Sequence, residues 1–491
     1  MAELTPFEPY RPLLWSDFVY DLQDFLLEQG IPPVYIVGGG VRDALLGAPQ
    51  KDLDLTTGGD SIAVARKIAN HFGGDVYVMD SERGVGRVLL PGQADEGPLV
   101  LDVSRFRADD LLGDLQDRDF TINAMAVDLM GDLRLLIDPM NGTRDLQDKI
   151  LCRCSPASIA MDPLRGLRAV RQSVQLGFHL DAETRQDIEA ALPAFAEVSA
   201  ERVRDEFIKL LALPAARRAL KVADVIGLLG VILPETNVLH GKTLIHPSGL
   251  DAWRYTMATV ENLGYIISAF TGRRDLDTPS AFGFGSMVMQ LDQFRQQLRA
   301  HITQHWADQR PHQALLSLAA LVHKIGAEAV DHEQTAANIV VQLAGKLRLS
   351  NDEKDRLLTI IRYQREPLLL SGNLTPVNIY RYWRRTGEAG VDICLLALAG
   401  YLAEVGSYLD RDSWLSVLEG IRRLLEAYYL QYEVLVSPPV LLDGNDLMQA
   451  LDLKPGPQLG ELLESIREAQ VTGEVTTREE ALAFVQSRLA G

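Results

Sequence analysis

Two carboxylates beside a glycine-rich bend carry the first chemistry in this chain. In Lys51-Asp52-Leu53-Asp54-Leu55-Thr56-Thr57 the pattern alternates as a strand does. Asp52 and Asp54 then share one face, and Leu53 and Leu55 share the other. Paired carboxylates repel unless a cation neutralises them, and a hard, oxygen-seeking ion such as Mg²⁺ does so. Just upstream, Val34-Tyr35-Ile36-Val37 is a short apolar, β-branched run that predicts a buried strand. Gly38, Gly39 and Gly40 let the backbone turn sharply and approach a ligand. Val41 to Leu46 has helical spacing, so the turn opens a helix whose free N–H groups and dipole suit a phosphate. Arg42, in the first turn, adds a guanidinium able to grip phosphate oxygens at two points.

Other polar groups recur downstream. Asp102 lies in the strand-like run Leu99 to Ser104. Asp117-Arg118-Asp119-Phe120-Thr121-Ile122-Asn123 clusters charge and amide before an apolar stretch. Asp162, Arg165, Arg168 and Arg171 recur every third residue and roughly line one helical stripe, with Pro163 suited to the first turn and Asp162 to the cap.

In this order and spacing, these stretches resemble motifs A, B and D of the class II tRNA nucleotidyltransferase and bacterial poly(A) polymerase family. Asp138 to Leu146 and Ser199 to Leu211 resemble its motifs C and E. The resemblance implies that Asp52 and Asp54 bind two Mg²⁺. Gly39, Gly40, Arg42 and Arg118 would hold the triphosphate or ribose. Asp102 would be a third catalytic carboxylate, and Asp119 and Asn123 would brace the site. It also implies a protein template for the base in Asp162 and Arg165, with Arg168 and Arg171 supporting phosphate or RNA. The chemistry of that template is direct. A carboxylate only accepts hydrogen bonds and a guanidinium only donates. Cytosine and adenine both present an amino donor beside a ring-nitrogen acceptor, so Asp162 with Arg165 matches them and leaves uracil and guanine with unpaired groups. The expected reaction is template-independent addition of C and/or A from CTP and ATP to tRNA 3′ ends. An RNA 3′-hydroxyl attacks the α-phosphate in line and pyrophosphate leaves.

The pattern departs from the family at Asp117, where a first arginine usually stands, at Cys152, usually arginine, and at Met161, usually glutamate. Only Ala108 to Gln116 separates Arg107 from Asp117, a short connection like that of CC-adding relatives. CC addition and full CCA addition are both compatible with these features, with A addition or poly(A) synthesis as alternatives. A second resemblance covers Asp251 to Thr256 and Leu318 to Gly326, which look like an HD-type phosphohydrolase domain. Tyr255 stands where that family has a metal-binding histidine and Lys324 where it has an aspartate. An HD-like helical body without metal or hydrolase activity is expected, with His323 an ordinary packed histidine. The readings from other classes, an HD-type phosphohydrolase or a non-catalytic RNA-binding protein, are opposed by these two replacements and by the Asp52/Asp54 pair respectively.

At 491 residues the chain predicts two to four domains. Its 47% hydrophobic content is ordinary for several cores, and no signal-peptide pattern or bilayer-length apolar run is evident. Three cysteines make no disulfide framework, so the cytoplasm is the expected location and no membrane partner is expected. A net charge of −19 excludes a generally basic nucleic-acid binder, and RNA binding then requires a basic concave face. The predicted class is α+β: an N-terminal palm with a small mixed sheet, then an all-α neck, body and tail. The expected division is a helical lead-in over 1–33, a head over 34–150, a neck over 151–215, a body over 216–345 and an RNA-binding tail over 346–491. In the tail, Asp443 to Leu447 and Lys454 to Gly460 predict two helices joined by a Pro-Gly-Pro turn.

Overall fold

A computed structural model describes residues 4–50, 52–91, 99–244, 247–272, 282–326, 332–452 and 454–490. Lys51 of the acidic stretch lies outside the described residues. The chain forms two compact units, Met1–Ser199 with Val225–Val231, and Ala200–Asp224 with Ile232–Gly491.

The first unit opens with α1 (Asp17–Glu28), then β1 (Val34–Val37), α2 (Gly39–Leu46), β2 (Asp52–Thr57) and α3 (Ser61–Phe72). β3 (Asp75–Asp80), β4 (Val85–Leu90), β5 (Leu99–Arg105), α4 (Leu111–Gln116) and β6 (Ala126–Asp128) follow. Six strands make one mixed sheet in the order β3-β4-β5-β2-β1-β6. β1 runs antiparallel to β2 and β6, while β2 and β5 are parallel, with Asp54 opposite Asp102. The alternation in β2 works as expected: Leu53 and Leu55 are buried and Asp52 and Asp54 exposed. Leu53, Leu55, Ile36, Leu101 and Val103 build the covered face with Ile68 of α3. Asp60 caps α3, accepting from the Ala63 N–H at 3.0 Å, and Gly73 ends it in the left-handed region. α1 docks on α3 through Phe18 and Phe25, whose rings meet Phe72 at 5.1 and 5.8 Å.

The unit continues with α5 (Gly142–Asp148), β7 (Ile150–Leu151), α6 (Ser158–Met161), α7 (Leu164–Leu176), β8 (His179–Leu180) and α8 (Ala182–Ala191). Strand structure therefore reaches past residue 156, where helical periodicity alone was expected. The parallel β7–β8 pair is too short to leave a periodic signal. The short connection before Asp117 is itself α4, capped by Asp110, whose side chain accepts from the Gly113 N–H at 2.8 Å.

The second unit is helical among the described residues. Its long helices Ala252–Thr271 and Ala389–Val405 pack together, and Tyr255 Oη and Asn262 Nδ2 donate to the carbonyls of Gly400 and Ala399. The stretch Ala389–Tyr408 has a mean hydropathy of 1.6 and the length to cross a bilayer, contrary to the expectation that no run would, yet 83% of its apolar window is buried in the protein. Asp392 on that helix pairs with His301 and Arg356, which identifies a core helix. In the region resembling an HD domain, Lys324 Nζ lies 4.8 Å from the centre of the Tyr255 ring, and the His323 ring lies 5.6 Å from it. His323 is 4% exposed and Nδ1 donates to the Ala320 carbonyl at 2.7 Å, while burial pushes its pKa down to about 3. The last helices, Gly444–Leu451, Pro457–Val471 and Arg478–Ala490, close around Leu447, Leu462, Ile466 and Val485, and Asp443 with Asp446 forms a capping box.

Candidate active site

The candidate catalytic face is the exposed side of β2 and its neighbours. β1 ends at Gly38, whose φ of 72° and ψ of −141° lie where side-chain-bearing residues rarely go. A Cβ there would stand 2.6 Å from Asp54 Oδ2 and 3.4 Å from Arg118 Nη1. Gly38 is thus the glycine that lets the turn close over Asp54. Gly39 starts α2 beside the Arg42 guanidinium, and Gly40 is buried, its α-carbon facing Leu53 and Ile36. Gly40 seats the helix on the sheet.

Asp52 and Asp54 project together, and Asp102 lies next to Asp54 in register. Solvent reaches Asp54, yet the surrounding protein desolvates its carboxyl and raises its pKa. Arg118 opposes the rise, Asp102 and Asp52 add to it, and Arg107 opposes it more weakly. Asp102 does not face the pair freely. Arg87, its β4 neighbour in register, grips it through Nε and Nη2 at 2.8 and 2.7 Å. Arg118 is 7% exposed and donates from Nε and Nη2 to Asp114 Oδ2 at 3.3 and 3.0 Å, which leaves Nη1 toward Gly38. Asp114 is fully buried and also accepts from the Arg107 backbone N–H at 3.0 Å. Arg87, Arg107 and Asp114 were not among the residues singled out from sequence for roles here. Arg87 was detectable by strand alternation on β4. Asp114 was detectable as the i−4 partner of Arg118 on α4.

Arg42 donates from Nε to Asp43 at 2.9 Å and from Nη1 to Asn123 Oδ1 at 2.8 Å. Asn123 Nδ2 in turn donates to Asp119 Oδ1 and Gln172 Oε1, both at 3.0 Å. Arg168 reaches Asp119 Oδ2 from Nε and Nη2 at 3.0 and 2.8 Å. Asp119 and Asn123 therefore join the glycine turn to α7. Asp162 sits between α6 and α7, and its carbonyl accepts from the Arg165 N–H at 2.9 Å. The Arg165 side chain turns inward: Nη1 meets the Arg118 carbonyl at 3.2 Å and Ser158 Oγ at 2.8 Å, and Nη2 meets the Asp117 carbonyl at 2.6 Å. It is 9% exposed. Arg171 Nη1 donates to Gln175 at 2.9 Å. Met161 is 68% exposed.

Among the described residues no three His, Cys, Asp or Glu side chains gather closely enough to hold a metal by themselves. Two carboxylates on one strand face still suit Mg²⁺, which is commonly bound by one or two carboxylates, water and substrate phosphates. The donor set is all hard oxygen, and the glycine at 38 keeps the space beside Asp54 Oδ2 clear.

Residues 34–152 match the family described as the poly A polymerase head domain. Residues 177–239 match the probable RNA and SrmB-binding site of polymerase A, and residues 425–485 match the putative tRNA nucleotidyltransferase domain 2. The chain is 31% identical over 464 residues to a CC-adding tRNA nucleotidyltransferase of Geobacter sulfurreducens, covering 92% of this chain and 91% of that one. It is 30% identical over 479 residues to an A-adding tRNA nucleotidyltransferase of Deinococcus radiodurans, covering 93% and 95%. Its fold is similar to that of the Thermotoga maritima CCA-adding enzyme complexed with tRNA, with a TM-score of 0.58, 20% identity and coverage of 98% and 100%. By its head-domain match and its full-length relatives, the chain belongs to the tRNA nucleotidyltransferase and poly(A) polymerase family.

Proposed function

We propose that this enzyme adds C and/or A from CTP or ATP to the 3′ end of tRNA in the cytoplasm. The observation that carries the reading is Asp54 standing against the Gly38 bend and in register beside Asp102, with Asp52 exposed on the same strand face. Asp52 and Asp54 would hold two Mg²⁺. Divalent cations bound there offset phosphate charge and favour the alkoxide form of the RNA 3′-hydroxyl. The turn at Gly38 and Gly39, the N-terminus of α2 and Arg118 hold the triphosphate. Arg42 and Arg168 brace that turn through Asn123 and Asp119. Asp162 accepts from the amino group of C or A. Arg165, with Nη1 and part of Nη2 committed to carbonyls, offers its remaining N–H groups to the ring nitrogen. Arg171 and the helical second unit supply RNA contacts, with the tail over 346–491 as the RNA-binding part.

The full-length relatives of Geobacter sulfurreducens and Deinococcus radiodurans are named for one part of the triplet each, which supports a partial activity, CC or A addition, over complete CCA synthesis. The deciding experiment incubates tRNA ending at the discriminator base, and tRNA ending in CC, with CTP alone, ATP alone and both, and sizes the products. Two added nucleotides with CTP alone and no further growth with ATP give CC addition. One added nucleotide on the CC-ended tRNA alone gives A addition. No incorporation on either substrate overturns the proposal.

A further inference from the structure

Arg87 has no place in the reading above, yet it is the cation set nearest the third carboxylate. It stands opposite Asp102 in the β4–β5 register and holds both carboxylate oxygens, with the two side chains 40% and 30% exposed. Asp52 and Asp54 also act on it, since their charges, after that of Asp102, favour its protonated form. A guanidinium cannot shed its proton, so its charge persists when a divalent cation arrives on the same face. Two cations sharing neighbouring carboxylates repel each other. The fork occupies both oxygens of Asp102, and among the described residues no three-carboxylate cluster forms on this face.

We propose that Arg87 is a positioning residue and resident counter-ion of the catalytic face: it keeps Asp102 off the cation site and weakens cation binding by Asp52 and Asp54 until a nucleoside triphosphate brings compensating negative charge. The proposal rests on the reading that Asp52 and Asp54 bind the cations. It couples metal loading to nucleotide arrival.

The test titrates Mn²⁺ into the full-length protein without tRNA and follows free Mn²⁺ by electron paramagnetic resonance. Arg87→Met should bind Mn²⁺ about three- to tenfold more tightly than the parent at low salt, the size expected for removing one partly screened charge. Arg87→Lys, which keeps the charge, should stay nearer the parent. In the presence of α,β-methylene CTP, the gap between Arg87→Met and the parent should narrow. Equal or weaker Mn²⁺ binding by Arg87→Met without nucleotide overturns the proposal and leaves Arg87 as a cross-strand brace, and Arg87→Gln supplies the same comparison if the methionine variant does not melt cooperatively. Asp52→Asn serves as the reference: unchanged Mn²⁺ binding in that variant overturns the cation-site reading itself, whereas lost binding there with no effect at Arg87 sinks only the present proposal.

Discussion

Arg168 holds Asp119 through Nε and Nη2 at 3.0 and 2.8 Å, and so joins α7 to the segment that carries Arg118. Burial pushes the Asp119 carboxyl up. The Arg168 charge and the hydrogen bonds from Asn123, Arg168 and the Phe120 N–H outweigh it and hold the group at about 2. Arg168→Ala leaves a nearly buried carboxylate with fewer partners and should cost about 1–3 kcal/mol of stability. A folded-state pKa below the ordinary 3.8 gives stability that is fully present above that value and lost as pH falls through about 2. The parent-to-variant difference in urea midpoint should therefore be constant near neutrality and shrink below pH 4. A difference that grows on acidification would contradict the assignment.

Gly38 and Gly40 should respond differently to alanine. At Gly38 the backbone is left-handed and the new Cβ meets Asp54 Oδ2 at 2.6 Å. At Gly40 it meets the movable Leu53 Cδ2 at 3.1 Å. Gly38→Ala should lower nucleotide incorporation on the order of 100-fold, as displacement of a catalytic group by about an ångström does. Gly40→Ala should act mainly on thermal stability, by overpacking. Measuring kcat and melting temperature for both variants separates the two effects. A Gly38→Ala enzyme with parental kcat would show that the close approach to Asp54 is not needed.

Local pattern accounts for the strand β1, the glycine turn and the Asp52/Asp54 face, because alternation and turn chemistry are properties of a few adjacent residues, but it misplaces the cap of α7, which is Pro163 and not Asp162. It cannot show that β2 pairs with β5 in parallel, since that contact joins residues 48 positions apart, Asp54 with Asp102. Nor can it show which way a long polar side chain turns. Arg87 and Asp102 read separately as strand charges, and only the register joins them. Arg165 reads as an arginine with all its donors open to a ligand, but Ser158 and two carbonyls take Nη1 and one N–H of Nη2. The break between compact units at Ser199 was also hidden, because helical periodicity is the same on both sides of it.

In the second unit, His301 sits 2.8 Å from Asp392 and 3.6 Å from Glu388, and Arg356 donates to the same two carboxylates. Burial pulls the His301 pKa down, but Asp392 and the hydrogen bonds of Asp392 and Glu388 raise it to about 9 against the opposing charge of Arg356. A raised folded-state pKa gives stability that is full below the ordinary 6.5 and lost as pH rises through about 9. The Glu388 carboxyl, hydrogen-bonded to His301 and facing Arg356, is held at about 2, so its share is present above 4.5 and lost as pH falls through about 2. The denaturation midpoint of His301→Gln should lie furthest below the parent between about pH 4.5 and 6.5 and approach it above pH 9. Equal offsets at pH 6 and pH 10 would show that the imidazole is neutral in the folded protein.

Asp162 and Arg165 should separate base choice from structure. Arg165 ties α7 to the Asp117 and Arg118 carbonyls, so Arg165→Lys loses the planar fork and should lower the melting temperature along with activity. Asp162 contributes only an acceptor to the base in the proposed template, whereas the amide of Asp162→Asn can also donate to the O4 of uracil or the O6 of guanine. Asp162→Asn should therefore keep most of the parental melting temperature while the ratio of CTP to UTP incorporation falls by about 10-fold or more, the discrimination expected when a buried polar mismatch is relieved. Single-nucleotide incorporation on tRNA with each of the four triphosphates reads this ratio directly. If the four rates keep their parental ratios in Asp162→Asn, this carboxylate does not read the base and the template must be sought elsewhere on the face.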